Sequence, residues 1–318
     1  MNKDLLKKSQ SLIALFLLCL VISILSDKFL TTNNLWNVLR QISVNVCISV
    51  GMTLVVLMAG IDLSVGSILA FTSAICAGLL KNGIAIESLD LFIGFTVVGG
   101  VLSAMLIGLL LGIFNGWVIT KFSLPPFVAT LAMLTIARGA TMLYTQGIPI
   151  SNLGYNFEFI GSGWFIGIPV PVWISTLMVL IVVFITKKTA FGRYIYAIGG
   201  NEKAAFLSGI NINNIKLTVY GIAGMMAAVG GVLVTSRLNS AQPNAGNSYE
   251  LDSIAAVVIG GTSLSGGVGT VTGTVIGAVI IGVLNNGLVL LNVSPFWQQV
   301  VKGLVILLAV IIDKKSKK

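Results

Sequence analysis

Ten stretches of this chain are candidates for crossing a lipid bilayer, and that succession decides the class of fold before any motif is read. They lie near 11–26, 42–59, 63–80, 91–119, 126–145, 170–186, 215–236, 251–264, 270–291 and 295–312. A spanning helix needs about 20 predominantly apolar residues. Of the 318 residues, 56% are apolar and 9% charged, where soluble domains average about 45–50% and about 25%. A soluble globule of that make-up would expose large apolar patches and aggregate. The expected fold is an all-α polytopic membrane protein. Residues 1–318 are read as a single transmembrane domain, although length alone would suggest about two soluble ones.

The basic residues orient the runs. With the N-terminus in the cytoplasm and strict alternation, the inner segments are 1–10, 60–62, 120–125, 187–214, 265–269 and 313–318. Counting Lys216 with its adjacent loop, they hold thirteen of the nineteen Lys and Arg. The outer segments, 27–34, 81–90, 146–169, 237–250 and 292–294, hold Lys28, Lys81 and Arg237. This asymmetry fits about ten spans, N-in and C-in. Dropping one span would flip half the loops and abolish it. Arg40, Arg138 and Lys302 fall within or beside apolar runs. The net charge of +9 then serves orientation and contact with lipid headgroups. Lys and Arg sit at the ends of apolar runs and form no surface for nucleic acid.

Lys3, Lys7 and Lys8 before the run from Ser11 to Ser26 imitate a signal peptide. Ile24-Leu25-Ser26-Asp27 is a poor small-residue cleavage site, so the run is kept as the first transmembrane helix. The more polar stretch from Thr31 to Gln41 reads as a short interfacial helix. The 251–264 run, ending in GGTSLSGG, reads as a broken or tilted segment. The 91–119 run is long enough to tilt, or to kink at Gly99-Gly100.

Histidine is absent and the three cysteines, Cys19, Cys47 and Cys76, lie in apolar stretches without CxxC spacing. No metal site and no disulfide framework are expected. There is no GxxxxGK[ST] phosphate loop and no HExxH, so an enzyme reading has little support. Any ATP would be bound by another polypeptide. Gly108, Gly112 and Gly116, and Gly269, Gly273 and Gly277, recur at four-residue spacing. Such spacing lets helix backbones approach closely, either within one bundle or at a dimer or moving seam.

The longest and most basic inner segment is 187–214, KKTAFGRYIYAIGGNEKAAFLSGININN. Gly199-Gly200 is expected to turn. Asn201 then caps a short helix with Glu202 in its first turn, and Gly209 ends it. Ala204, Ala205, Phe206 and Leu207 give that helix a small apolar face. Outside the bilayer, such a face either rests on the membrane surface or fits a socket on a soluble partner.

Lys203-Ala204-Ala205-Phe206-Leu207-Ser208-Gly209 resembles the AAxxxG core of the coupling loop of ABC importer permeases. The family form usually starts with an acidic residue; here Lys203 stands there and Glu202 sits one earlier. Gly60-Ile61-Asp62-Leu63-Ser64-Val65-Gly66 is similar to the GIDLSVG signature of the monosaccharide-importer branch. Similar too are Thr189 to Arg193, Tyr196 to Glu202, Ser240 to Pro243, Tyr249 to Val258 and Gly260 to Gly267. The likeness runs from about residue 10 to the C-terminus and is closest to permeases that import ribose.

The resemblance implies a ten-helix, cobalamin-importer-like (type II) permease in the cytoplasmic membrane, assembled as a homodimer. It implies two ABC ATPase domains docked inside and an extracytoplasmic sugar-binding protein docked outside. Glu202, Lys203, Ala204, Ala205 and Gly209 would then form the ATPase-coupling loop, with ATP bound by the partner subunits and no cofactor on this chain. The cargo implied is a monosaccharide, ribose first; another pentose, a hexose or a signalling furanose is the alternative. A stand-alone secondary transporter is the rival of another class. It would need ion-coupling charges at the midplane and no docking helix.

Several polar residues sit among the apolar runs. Asp62 either caps the following helix through the amides of Ser64 or Val65 or takes part in gating. Arg138 must face the bundle interior or a wet cavity, or snorkel. Asn45, Asn115, Asn285 and Asn286 are either interhelical hydrogen-bonding residues or pathway lining. A path of small residues and a few amides suits a sugar, which has many hydroxyls and no charge. Arg237, Glu250 and Asp252 flank the outer loop SAQPNAGNSYELD, read either as a contact for the binding protein or as a solvated loop.

Overall fold

The computed structural model describes residues 3–86 and 91–315. The expected outer segment 81–90, and the ends of the inner segments 1–10 and 313–318, lie in part outside the described residues. Helices dominate: α1 (Lys3–Leu25), α2 (Thr32–Leu57), α3 (Val65–Asn82), α4 (Val97–Lys121), α5 (Pro126–Thr145), α6 (Tyr155–Ser162), α7 (Val170–Lys188), α8 (Ala190–Gly200), α9 (Glu202–Leu207), α10 (Ile212–Leu238), α11 (Tyr249–Ile259), α12 (Val271–Leu290) and α13 (Pro295–Lys315). Three small antiparallel pairs join them: β1 (Ile84–Ile86) with β2 (Leu91–Ile93), β3 (Ile150–Ser151) with β6 (Ser240–Ala241), and β4 (Trp164–Phe165) with β5 (Ile168–Pro169).

Each of the ten apolar runs carries a helix. Seven, namely α2, α3, α4, α5, α7, α10 and α12, are long and apolar enough to cross a membrane. The chain is a multi-pass membrane protein. In α1 and α13 the apolar stretches are shorter, Ser11–Leu25 and Pro295–Leu308. The α11 helix has only 11 residues, about 16 Å at 1.5 Å per residue, against a hydrocarbon core of about 30 Å.

Four local expectations change. Thr31 to Gln41 is not a separate interfacial helix. From Thr32 onward it forms the first turns of α2, because no Pro or Gly interrupts the chain there, and Asn34 pairs its side-chain amide with Asn286. Gly99-Gly100 is no mid-helix kink. The helix begins only at Val97, and Thr96 caps it by accepting from the Gly99 amide at 3.2 Å. Gly199-Gly200 makes no turn but closes α8, which Thr189 caps through the Gly192 amide at 3.2 Å. Gly269 leaves its glycine series: it lies before α12, at φ +152°.

The chain divides into two compact units. One unit comprises Met1–Gly60, Thr176–Ile212 and Leu251–Lys318. In it α12 packs against α2 and α1. Close approach is bought by small residues: a Cβ at Gly273 would overlap the Gly260 carbonyl, and one at Gly277 the Ala256 carbonyl. The Thr53 hydroxyl donates to Thr274 Oγ1 at 2.8 Å across the α2–α12 seam. Here the ends of three segments assigned to one side of the membrane meet. The Gly267 amide donates to Leu57 O at 2.9 Å, Tyr196 Oη donates to Gly269 O at 2.9 Å, and Gly199 packs on Leu57 and Gly267.

The other unit comprises Ile61–Ser175 and Asn213–Glu250. In it α3 packs against both α4 and α5. Gly108, Gly112 and Gly116 meet the α10 backbone at Gly224, Tyr220 and Leu217. That series therefore serves packing inside this bundle. The outer segments converge in turn. Lys81 Nζ donates to Ser151 O at 3.0 Å, Ser151 and Ser240 share a 2.8 Å hydrogen bond, and Asn239 Nδ2 donates to Glu158 Oε2 at 3.3 Å.

Candidate functional site

The most prominent surface feature is the nub made by α8 and α9. Asn201 has extended backbone, and its Oδ1 accepts from the Ala204 amide at 3.0 Å, satisfying one of the orphan donors of the first turn. At the other end Gly209 adopts φ +82°, and the Ile210 amide returns to Ala205 O at 3.2 Å. Only glycine enters that left-handed conformation without strain. Both ends of the six-residue helix thus carry a local cap.

The sequence placed Ala204, Ala205, Phe206 and Leu207 on the apolar face of this helix. The structure keeps Glu202, Lys203, Ala204 and Gly209 exposed but buries Ala205. The Ala205 methyl group is turned into the protein, with 4% of its surface exposed. In its place Phe206 and Leu207 project, with 68% and 85% of their surface exposed. These two adjacent large apolar side chains form an exposed apolar patch on a short helix. The nub is stiffly mounted, because the last turn of α8 touches Leu57 and Gly267 through backbone alone.

The intramembrane polar residues fall into separate groups. Asp62 lies in the connection between α2 and α3 and is fully buried. Its Oδ1 accepts from the Ser64 amide at 2.9 Å and from Ser64 Oγ at 2.6 Å, while Asn115 Nδ2 donates to Ser64 Oγ at 2.9 Å. Asp62 therefore orders the entry to α3, through Ser64 as the spacing suggested. Its Oδ2 has no hydrogen-bond partner. Burial pushes the Asp62 carboxyl up from its ordinary value, against the two Ser64 hydrogen bonds that pull it down.

Asn286 is buried and pairs reciprocally with Asn34, Nδ2 to Oδ1 in both directions at 3.0 and 2.9 Å. Asn285 Nδ2 donates to Asp252 Oδ2 at 3.2 Å, and Lys302 Nζ reaches the same oxygen at 2.9 Å. This ion pair is absent from the sequence reading. The signal that points to it is Lys302 itself, a cation stranded in an apolar run that needs a partner. Asn45 is half-buried on α2. Arg138 Nη1 donates to the carbonyls of Pro243 and Ala245, each at 2.9 Å, and so faces the protein interior.

Residues 34–310 match the family described as branched-chain amino acid transport system / permease component. The ribose import permease protein RbsC of Bacillus subtilis is 50% identical, covering 98% of this chain and 94% of the relative. That of Haemophilus influenzae is also 50% identical, covering 96% and 93%. The xylose transport system permease protein XylH of Escherichia coli is 36% identical, covering 91% and 87%. No solved structure matches the chain.

Proposed function

Because the chain belongs to the branched-chain amino acid transport system / permease component family, we propose that it is the membrane-spanning subunit of an ATP-driven importer of ribose. The single observation that carries the ATP-driven part is the exposed, locally capped nub with Phe206 and Leu207 outward. A secondary transporter has no use for such a nub. Two ABC ATPase domains bind ATP and grip α9 from the cytoplasm, one on each copy of a homodimer. A sugar-binding protein delivers cargo from outside. ATP binding moves the nubs, and the permease alternates access across the cytoplasmic membrane without covalent chemistry on this chain.

In this reading residues 1–318 act as a single permease domain with ten spans, N-in and C-in, in a type II arrangement. The convergence of the inner segments in one unit and of the outer segments in the other supports that alternation. Ribose is favoured over xylose by the higher identity of the ribose import relatives.

Replacing Phe206 and Leu207 by Asp tests the assignment. The folded permease should then purify without its ATPase subunits, and uptake of labelled D-ribose should vanish. If D-ribose uptake persists in vesicles lacking any ATPase, the secondary-transporter reading takes its place.

A further inference from the structure

The segment between α10 and α11 runs along α3, one of the helices long and apolar enough to cross a membrane. At its start Ala241 packs in one cluster with Cys76 and Ala77 of α3. Five residues later Gly246 rests on Gly66, at the first turn of the same helix. The ten residues from Gly66 to Cys76 rise about 15 Å, so the chain descends that far along α3, close to the reach of five extended residues. Arg138 gives an independent depth. It lies seven residues before the end of α5 and twelve after its start, about 10 and 18 Å from the two ends, and it holds the carbonyls of Pro243 and Ala245.

Irregular backbone at such depth survives only when it is buried in protein or lines an aqueous cavity. Its inner side is satisfied by Arg138 and by the backbone contact between Gly66 and Gly246. Its other side presents Asn244 and Asn247, both exposed. A carboxamide turned to hydrocarbon would forfeit its hydrogen bonds. Each amide offers a donor pair and an acceptor, which is the complement of a hydroxyl group, and carries no charge to trap a neutral solute. The guanidinium of Arg138, engaged with backbone carbonyls, supplies structure here.

We propose that segment 241–248 lines the cargo passage and that Asn244 and Asn247 are its hydroxyl-binding residues, a transient station for neutral polyols. The identity of the cargo rests on the sugar-permease reading above; the aqueous exposure of the segment does not.

The test uses the full chain in membrane vesicles, with Cys19, Cys47 and Cys76 replaced by Ala. Asn244→Cys and Asn247→Cys are treated with a charged, membrane-impermeant thiol reagent, beside Ile136→Cys, exposed mid-way along α5, as the control. Both Asn positions should react far faster than the control. In the assembled transporter, Asn244→Ala with Asn247→Ala should lower D-ribose uptake about tenfold or more, the loss of roughly one good polar contact in the rate-setting state. Asn247→Gln, which keeps the amide, should retain most of it. Labelling no faster than Ile136→Cys overturns the proposal. So does a disulfide between two copies at Asn244→Cys that blocks labelling, since the face would then be closed by the second copy. Fast labelling with unchanged uptake in the double Ala variant also overturns it. Loss of uptake in the unaltered chain would instead strike the permease reading, and the labelling rates would still stand.

Discussion

Gly112 and Gly139 look alike in sequence, both glycines within apolar helices, yet they differ in what surrounds them. A Cβ at Gly112 would overlap the Tyr220 carbonyl, while one at Gly139 would meet nothing within 4 Å. Gly112→Ala should therefore force α4 and α10 apart and cost about 1–3 kcal/mol. Gly139→Ala should be neutral or slightly stabilising. Thermal unfolding of the detergent-solubilised protein compares the two directly, and equal midpoints would contradict the packing. Asp62 allows a similar separation. Asp62→Asn keeps the acceptor for Ser64 while removing a buried charge whose other oxygen is unpartnered, so stability should hold or rise. Asp62→Ala loses both hydrogen bonds from Ser64 and should cost about 1–3 kcal/mol. At this scale the capping roles of Asn201 and Gly209 and the hydrogen bond from Ser64 to Asp62 were legible, because each depends on neighbours within a few positions. The Asp252–Lys302 pair was not, since its partners stand 50 residues apart and only the fold brings them together.

Among the elements, the apolar runs located the helices because satisfaction of the backbone in lipid leaves little else to form. Composition failed where polarity was taken for exposure. The Thr31 to Gln41 stretch looked like a surface helix, but its Asn34 is paired with Asn286 and the helix runs on. The 237–250 segment looked like a solvated loop, yet Gly246 sits against the first turn of α3. Its polar groups are answered by residues such as Arg138, more than a hundred positions away in sequence, and no local pattern records that. The α9 helix shows the reverse case, where local chemistry suffices. With six residues it lies far below the length at which an isolated helix is stable, so its caps matter in proportion. Asn201→Ala removes the hydrogen bond to Ala204 and should cost about 1 kcal/mol of local order. If the partner ATPase grips only the folded helix, its affinity should fall about fivefold by the corresponding free-energy conversion. Titration of the ATPase onto nanodisc-embedded permease measures this, and Phe206→Ala should cost more than Asn201→Ala. The opposite order would mean that the cap residue itself is the contact.

For the whole molecule, orientation follows from where thirteen of nineteen cations lie, and it can be read at two positions. Tyr155 is 79% exposed at the start of α6, and Lys203 is exposed on α9. Among the helices between them, only α7 is long and apolar enough to cross the membrane. Its 19 residues rise about 28 Å, close to the thickness of the hydrocarbon core. One crossing must place the two residues on opposite sides, whatever is true of the shorter α11 or of the ends of α1 and α13. The basic cluster of Lys187, Lys188, Arg193 and Lys203 then puts Lys203 inside. In the cysteine-replaced background, Lys203→Cys should react with an impermeant maleimide only in inside-out vesicles and Tyr155→Cys only in right-side-out ones. Reaction of both from one side would remove α7 as a span. If that side is the outer one, the nub faces away from any cytoplasmic ATPase, and the ATP-driven mechanism loses its point of attachment.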